Sequence, residues 1–146
     1  MILREVAIHR YSVYAVCGFP SEEECEVELF LLQHWDFYKK AMRDLNTALR
    51  RWTPQHGPPY GVEERAKRLR DDICEFRARE KRQPKLPRIL FFEDDMRIIC
   101  TSAFLKQGST PDHEIDRAIE IRQKYFRHGY FRHGKNPIIL KGWGLQ

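Results

Sequence analysis

No run in this 146-residue chain approaches the roughly 18 apolar residues that a membrane span requires. The opening stretch MILREVAIHRYSVYAV is interrupted by Arg4, Glu5 and Arg10, which excludes the apolar centre of a signal peptide and leaves the cytoplasm as the expected location. The four cysteines, Cys17, Cys25, Cys74 and Cys100, show no C-x-x-C spacing and no histidine at zinc-ligand distance. A structural zinc is not expected, and the thiols should be reduced and partly in the core. No G-x-S-x-G, P-loop, H-E-x-x-H or dinucleotide fingerprint is present, and the six histidines are scattered with none near a carboxylate in a triad order. Glu93, Asp94 and Asp95 read as solvated turn residues rather than a metal site. No cofactor and no metal are expected.

What is present is a globular composition, 42% hydrophobic and 12% aromatic, of a length suited to one domain. The charge is placed rather than spread. Arg65 to Arg88 holds ten Lys/Arg against four acids, and Arg122 to Lys141 adds six more cations with no acid. The whole chain carries only +5, so the remainder sums to about −7. Sequestered positive charge attracts a polyanion through phosphate contacts and counterion release. A solubilising basic face is the simpler alternative.

Glu5–Tyr14, rich in β-branched and aromatic residues, predicts a first strand. Ser21 is a candidate N-cap followed by Glu22, Glu23 and Glu24, where the helix dipole favours acids. Val27, Phe30, Leu31, Trp35, Tyr38, Met42, Leu45, Leu49 and Trp52 then recur at helical spacing. This is one long helix, or two broken near His34–Asp36, ending at Thr53-Pro54 and Gly57-Pro58-Pro59.

From Lys67 the period becomes two. Cys74, Phe76 and Ala78 fall on one strand face, with Glu75, Arg77 and Arg79 on the other. Lys81–Pro87 is a basic loop. The apolar runs from Arg88 and from Arg97 to Lys106 predict two central strands joined by the tight turn Glu93-Asp94-Asp95-Met96. Thr110-Pro111-Asp112 predicts a helix start with Thr110 as cap, and Ile115, Ala118, Ile119 and Phe126 its apolar face.

A shared face of cations suits a phosphodiester attacked by its own ribose 2′-hydroxyl, because fixed positive groups stabilise the charge that builds on the non-bridging oxygens. Arginine's planar fork matches two phosphate oxygens and keeps its proton. Glu75, kept ionised by neighbouring cations, is a candidate base. A surface salt bridge from Glu75 to Arg77 or Arg79 is the competing reading.

Several motifs stand in order along the chain: G-P-x-x-G at Gly57-Pro58 and Gly61, K-x-L at Lys67–Leu69, E-x-R at Glu75 and Arg77, and R-x-L-F-F at Arg88–Phe92. F-x-K at Phe104 and Lys106 and T-P-x-x-E-I-x-x-A at Thr110–Ala118 continue the series. As an ordered set, these resemble the RelE/HigB-type toxin superfamily, in particular its HigB-like, phage-associated branch. The resemblance covers nearly half the chain.

The resemblance implies an α+β, microbial-ribonuclease-like domain over residues 1–127, with an antiparallel sheet packed against an N-terminal helical hairpin and a C-terminal helix. Residues 128–146 would be a basic extension. It implies the toxin of a type II toxin–antitoxin pair, a metal-independent endoribonuclease that cleaves messenger RNA, usually on the ribosome, and is neutralised by a helix-turn-helix antitoxin. On that reading Arg77 and Arg88 hold the phosphate, Lys106 neutralises developing charge and Glu75 is the base. Lys67, Arg68, Arg70, Arg79, Lys81, Arg82, Lys85, Lys124 and Arg127 bind flanking RNA. The chain departs from the family pattern at Cys74, at Gln107 and in its C-terminal extension. A non-catalytic binding module and a gyrase-inhibiting toxin are the alternatives.

Overall fold

The N-terminal β-rich run breaks into two strands, β1 (Ile2–Ile8) and β2 (Ser12–Cys17), where the sequence predicts one over Glu5–Tyr14. They pair antiparallel from Ile2↔Cys17 to Ile8↔Ser12. No Gly, Pro, Asn or Asp marks the reversal between them, so the usual turn signal is missing from the sequence. The computed structural model describes residues 2–8, 12–17, 25–34, 40, 43, 66–77, 85–95, 97–128 and 131–132.

Beyond β2 the chain forms α1 (Glu26–His34), β3 (Ala66–Arg68), β4 (Cys74–Arg77), β5 (Leu86–Asp94), β6 (Arg97–Lys106), α2 (Asp112–His128) and β7 (Phe131–Arg132). The strands lie in one sheet in the order β3-β4-β5-β6-β2-β1-β7. The domain is α+β, and its sheet is mixed, whereas the resemblance implies an antiparallel one. β2 runs parallel to β6, from Ser12↔Arg97 to Ala15↔Cys100, and β1 runs parallel to β7. A parallel pair needs a long crossover connection, and the long segment between β2 and β6, which includes α1, supplies one.

The two apolar runs around the acidic turn are central strands, as predicted. β5 and β6 pair from Leu86↔Lys106 to Asp94↔Arg97, with a bulge opposite Leu90/Phe91. Asp95 closes the turn at φ 55, a left-handed conformation that aspartate tolerates. Asp71 and Asp72 do the same at φ 50 and 64, which makes the β3–β4 connection a tight primed-type hairpin turn.

Each sheet face carries its own core. Cys74, Phe76, Ile89, Phe91 and Ile98 pack with Val27, Phe30 and Leu31 of α1, and Phe76 stacks on Phe91 at 4.1 Å between centroids. Leu90, Phe92 and Ile99 on the other face meet Ala118, Ile121 and Tyr125 of α2. The predicted alternation of β4 holds for the faces but not for burial: Cys74 and Phe76 lie on the α1 side and Glu75 and Arg77 on the other, where Glu75 is fully buried as well, whereas Ala78 and Arg79 fall outside the described residues. The predicted face of α2 shifts. Ile121 and Tyr125 take the central positions, and Phe126 is 50% exposed because it sits about 100° round the helix from that stripe. Its ring covers Tyr125 and carries the Arg122 guanidinium 4.9 Å above it.

α1 bears out the start of the first helical stretch. Ser21, the stripe from Trp35 to Trp52 and the second arm of the expected hairpin lie outside the described residues. Phe131 and Arg132, within the predicted basic extension, pair with Ile2 and Leu3. No helix among the described residues is long and apolar enough to cross a membrane.

All four cysteines are buried thiols outside any disulfide. Burial pushes the Cys74 and Cys100 thiols up to about 12 from the ordinary 9.0. In the unfolded chain these thiols ionise near pH 9, whereas in the fold they keep their protons to about 12. Their contribution to stability is therefore present below pH 9 and is lost as the pH rises towards 12, by up to about 1.4 kcal/mol per pH unit per thiol. Urea unfolding at about pH 8 and pH 10.5 checks this. Cys100→Ala should lose less stability than the parent on the alkaline step, and equal losses would refute the claim.

Candidate anion-binding cleft

Antiparallel register sets Arg77 of β4 directly opposite Arg88 of β5, and Glu75 opposite Leu90. Both arginines and Glu75 share the sheet face covered by α2. Two cations in facing positions repel, and the local structure answers that repulsion. Glu75, on the diagonal from Arg88, has no exposed surface and places Oε2 3.9 Å from Arg88 Nη1. Arg88 is itself 6% exposed.

The loop after β6 completes the arrangement. Arg88 Nη1 donates to Thr110 Oγ1 at 2.9 Å, and Arg88 Nη2 donates to the Gly108 carbonyl. The Thr110 hydroxyl donates to Glu75 Oε2. Gly108 stands at φ +78 with open space where a Cβ would be, so backbone conformation rather than crowding favours glycine there. Burial depresses the Arg88 pKa, Glu75 opposes that effect, and Arg77 adds to it. Arginine nonetheless remains a cation at neutral pH.

Above this buried knot lies an open cleft of about 470 Å³. It is lined by Arg77 and Arg88, by the 108–110 loop and by the apolar side chains of Leu69 and Ile115. α2 begins just after this loop, with Pro111 accepting the first helical hydrogen bonds from Glu114 and Ile115. The predicted Thr110 cap is therefore corrected. Pro111 occupies the cap position, and the Thr110 hydroxyl is engaged by Glu75 and Arg88. Glu75 Oε1 and Arg88 Nε are buried with no hydrogen-bond partner among the described residues.

Of the four residues that sequence reading marks for catalysis, Arg77 and Arg88 converge on the cleft. Glu75 is fully buried and pairs with Arg88 rather than forming a surface bridge to Arg77; Arg79, the other partner expected, lies outside the described residues. Lys106 is exposed and pairs with Leu86, two positions along the same face from Arg88's partner Phe104, but it does not line the cleft.

The predicted RNA-binding set disperses. Arg68 pairs with Cys74 in register and its Nη1 reaches the Cys74 sulfur at 3.8 Å, which places it on the α1 side. Arg70 is held by Asp116 at 2.5 Å and by Asp71, and the Asp116 bond raises its pKa. Lys85 and Arg127 are exposed, and Lys124 is exposed and pairs with Glu120. Lys67 occupies the register position opposite Glu75. Arg79, Lys81 and Arg82 lie outside the described residues. His113 is an exposed helix residue 3.5 Å from Glu114.

No family model, curated protein or solved structure matches this chain. The reading of the cleft therefore rests on its own geometry and on the ordered motifs. Thr110, Gly108 and Ile115 escape a search for charged site residues because none belongs to a charged run, and Leu69 escapes it as an apolar residue inside one. Thr110's neighbour Pro111 is the only local hint, and it suggests a helix start. In the acidic turn, Asp94 accepts a 2.5 Å bond from the Tyr125 hydroxyl and pairs with Arg97 at 3.2 Å, a structural use. No cluster of three or more candidate metal ligands occurs among the described residues.

Proposed function

We propose that this chain is a RelE/HigB-like toxin of a type II toxin–antitoxin pair, a metal-independent endoribonuclease that cleaves messenger RNA in the cytoplasm. The observation that carries this reading is the placement of Arg77 and Arg88 opposite each other on adjacent strands, lining one open cleft. Two guanidinium groups fixed before the substrate arrives need no reorganisation as charge builds on a scissile phosphate. Arg77 grips a non-bridging oxygen, and Arg88 supplies positive potential from a position locked by Thr110, Gly108 and Glu75. Lys106, further along the same face, meets a flanking phosphate. A helix-turn-helix antitoxin would neutralise the protein, and the ribosome would present the messenger.

Glu75 acts through Thr110. The carboxylate is sealed from solvent, but the hydroxyl that donates to it lines the cleft. The ribose 2′-hydroxyl passes its proton to Thr110 Oγ1 as Thr110 passes its own to Glu75. The 2′-oxygen then bonds to phosphorus, and the 5′-oxygen leaves with its electron pair and takes a proton from water. Thr110→Val, which keeps shape but removes the hydroxyl, should slow cleavage by roughly 10²–10⁴-fold, the usual worth of a positioned proton acceptor. Thr110→Ser should keep most of the activity. A folded Thr110→Val protein that cuts at the parental rate would refute the relay.

A second reading is favoured by the inward engagement of Arg88 and the burial of Glu75: a binding module that holds a polyanion without cutting it. Purified protein mixed with ribosomes and a translated messenger separates the two. New RNA 5′ ends support the nuclease, and bound but intact RNA supports the module.

A further inference from the structure

Cys17 closes β2 and Cys25 immediately precedes α1, and the two are partners in an isolated antiparallel bridge. Both are buried, at 1% exposure, in the core cluster on the α1 side of the sheet. Direct partners in antiparallel pairing have Cα atoms about 4.5–5.5 Å apart. That separation falls inside the window of roughly 4.4–6.8 Å that a disulfide accepts.

The alternatives within the chain do not fit. Cys74 and Cys100 are both opposite Phe91, on its two sides, so the whole of β5 separates them. Cys100 faces Ala15, two residues from Cys17, a diagonal relation about 7–8 Å across the ladder. Cys17 and Cys25 are thus the matched pair among four buried thiols.

We propose that Cys17 and Cys25 form a reversible disulfide when the chain meets a peroxide or a disulfide oxidant such as oxidised glutathione. With peroxide, one thiol releases its proton and the thiolate bonds to one peroxide oxygen as the O–O bond breaks; the hydroxide that leaves takes up the released proton, giving a sulfenic acid and water. The second sulfur then attacks the first, expelling the hydroxyl as a second water and leaving the S–S bond. Both thiol protons and the two electrons of oxidation are accounted for by the peroxide.

The bond pins the end of β2 to the first turn of α1. Glu26, the next residue, holds Arg117 of α2 at 2.5 Å, so the staple anchors the tie between the two helices. The neighbouring Cys17 thiol and, after it, burial push the Cys25 thiol well up from its ordinary value. Thiolate is therefore scarce at neutral pH, and oxidation should be slow in the folded state and faster under alkaline conditions. This inference does not depend on the proposed ribonuclease activity.

The test uses the full chain treated with hydrogen peroxide or a glutathione redox buffer, then denatured, alkylated with iodoacetamide and mapped by mass spectrometry. No Lys or Arg falls between Tyr11 and Tyr38, so trypsin leaves both cysteines in one peptide. That peptide should lose two hydrogen masses and become resistant to alkylation, while Cys74 and Cys100 remain alkylatable. Cleavage at Glu22–Glu24 should then give two fragments that separate only after dithiothreitol. Closing a loop of roughly nine residues should shift the folding equilibrium about 80-fold towards the native state, and Cys25→Ser should show no oxidation-dependent shift. Four alkylatable thiols after oxidation, or linkage through Cys74, Cys100 or a second chain, would overturn the proposal.

Discussion

Arg88→Ala should cost the fold about 3–5 kcal/mol, a large part of the whole stability of a domain this size. The Glu75 carboxylate has no exposed surface, and its Oε1 already lacks a partner among the described residues. Removing Arg88 strips the nearest positive charge from that carboxylate and leaves the Gly108 carbonyl and Thr110 hydroxyl without their donor. Glu75→Gln should be milder, because the amide keeps a hydrogen-bonding group beside Thr110 and discards the buried negative charge. Replacing both members, as in Glu75→Leu with Arg88→Met, should recover much of the loss, since a buried ion pair is often no better than apolar residues of similar volume. Urea unfolding followed by circular dichroism measures all three variants. If Arg88→Ala falls within about 1 kcal/mol of the parent, the buried pair does not behave as described.

Arg77→Ala should remove most of the biological activity while leaving the fold in place. Arg77 is only half-buried, and its guanidinium faces Arg88 across the ladder, so relief of like-charge repulsion offsets lost packing and the net stability change should stay within about 1 kcal/mol. In cleavage, losing one preorganised charge at the phosphate should slow the reaction by about 10²–10³-fold and abolish growth inhibition on expression. Binding to single-stranded RNA gives an independent readout. One fewer phosphate contact should reduce the slope of log affinity against log salt by about 0.7. A folded Arg77→Ala protein with unchanged toxicity and an unchanged salt slope would remove the basis for placing substrate in this cleft. Arg77 is the better probe than Arg88, because lost activity in an Arg88 variant does not separate chemistry from unfolding.

Much of the architecture is legible in the residue pattern. The alternation around Glu75 separates Cys74 and Phe76 from the charged face. The near-continuous apolar runs of β5 and β6 mark central strands covered on at least one side, and Thr110-Pro111-Asp112 marks a helix start to within a residue. The N-terminal hairpin is not legible, since His9, Arg10 and Tyr11 carry no turn chemistry. Nor is the parallel pairing of β2 with β6, because strand direction in a sheet depends on how the intervening chain crosses over.

For the site, local sequence was sufficient to show that Glu75 and Arg77 share one face of a strand-forming segment, because side-chain direction in a strand follows a period of two, whereas the β4–β5 register brings Arg88 to that face. It was also sufficient to show that basic charge is concentrated between Arg65 and Arg88. Tertiary structure alone decided which of those cations converge. Arg68 went to the opposite face through its register with Cys74, Arg70 was drawn to Asp116 on α2, and Arg88 was locked by a threonine that sequence reading assigns to a helix cap. These outcomes depend on contacts between residues far apart in the chain, such as Glu75 and Thr110, and no local propensity encodes which distant partner a polar group will meet when it is buried.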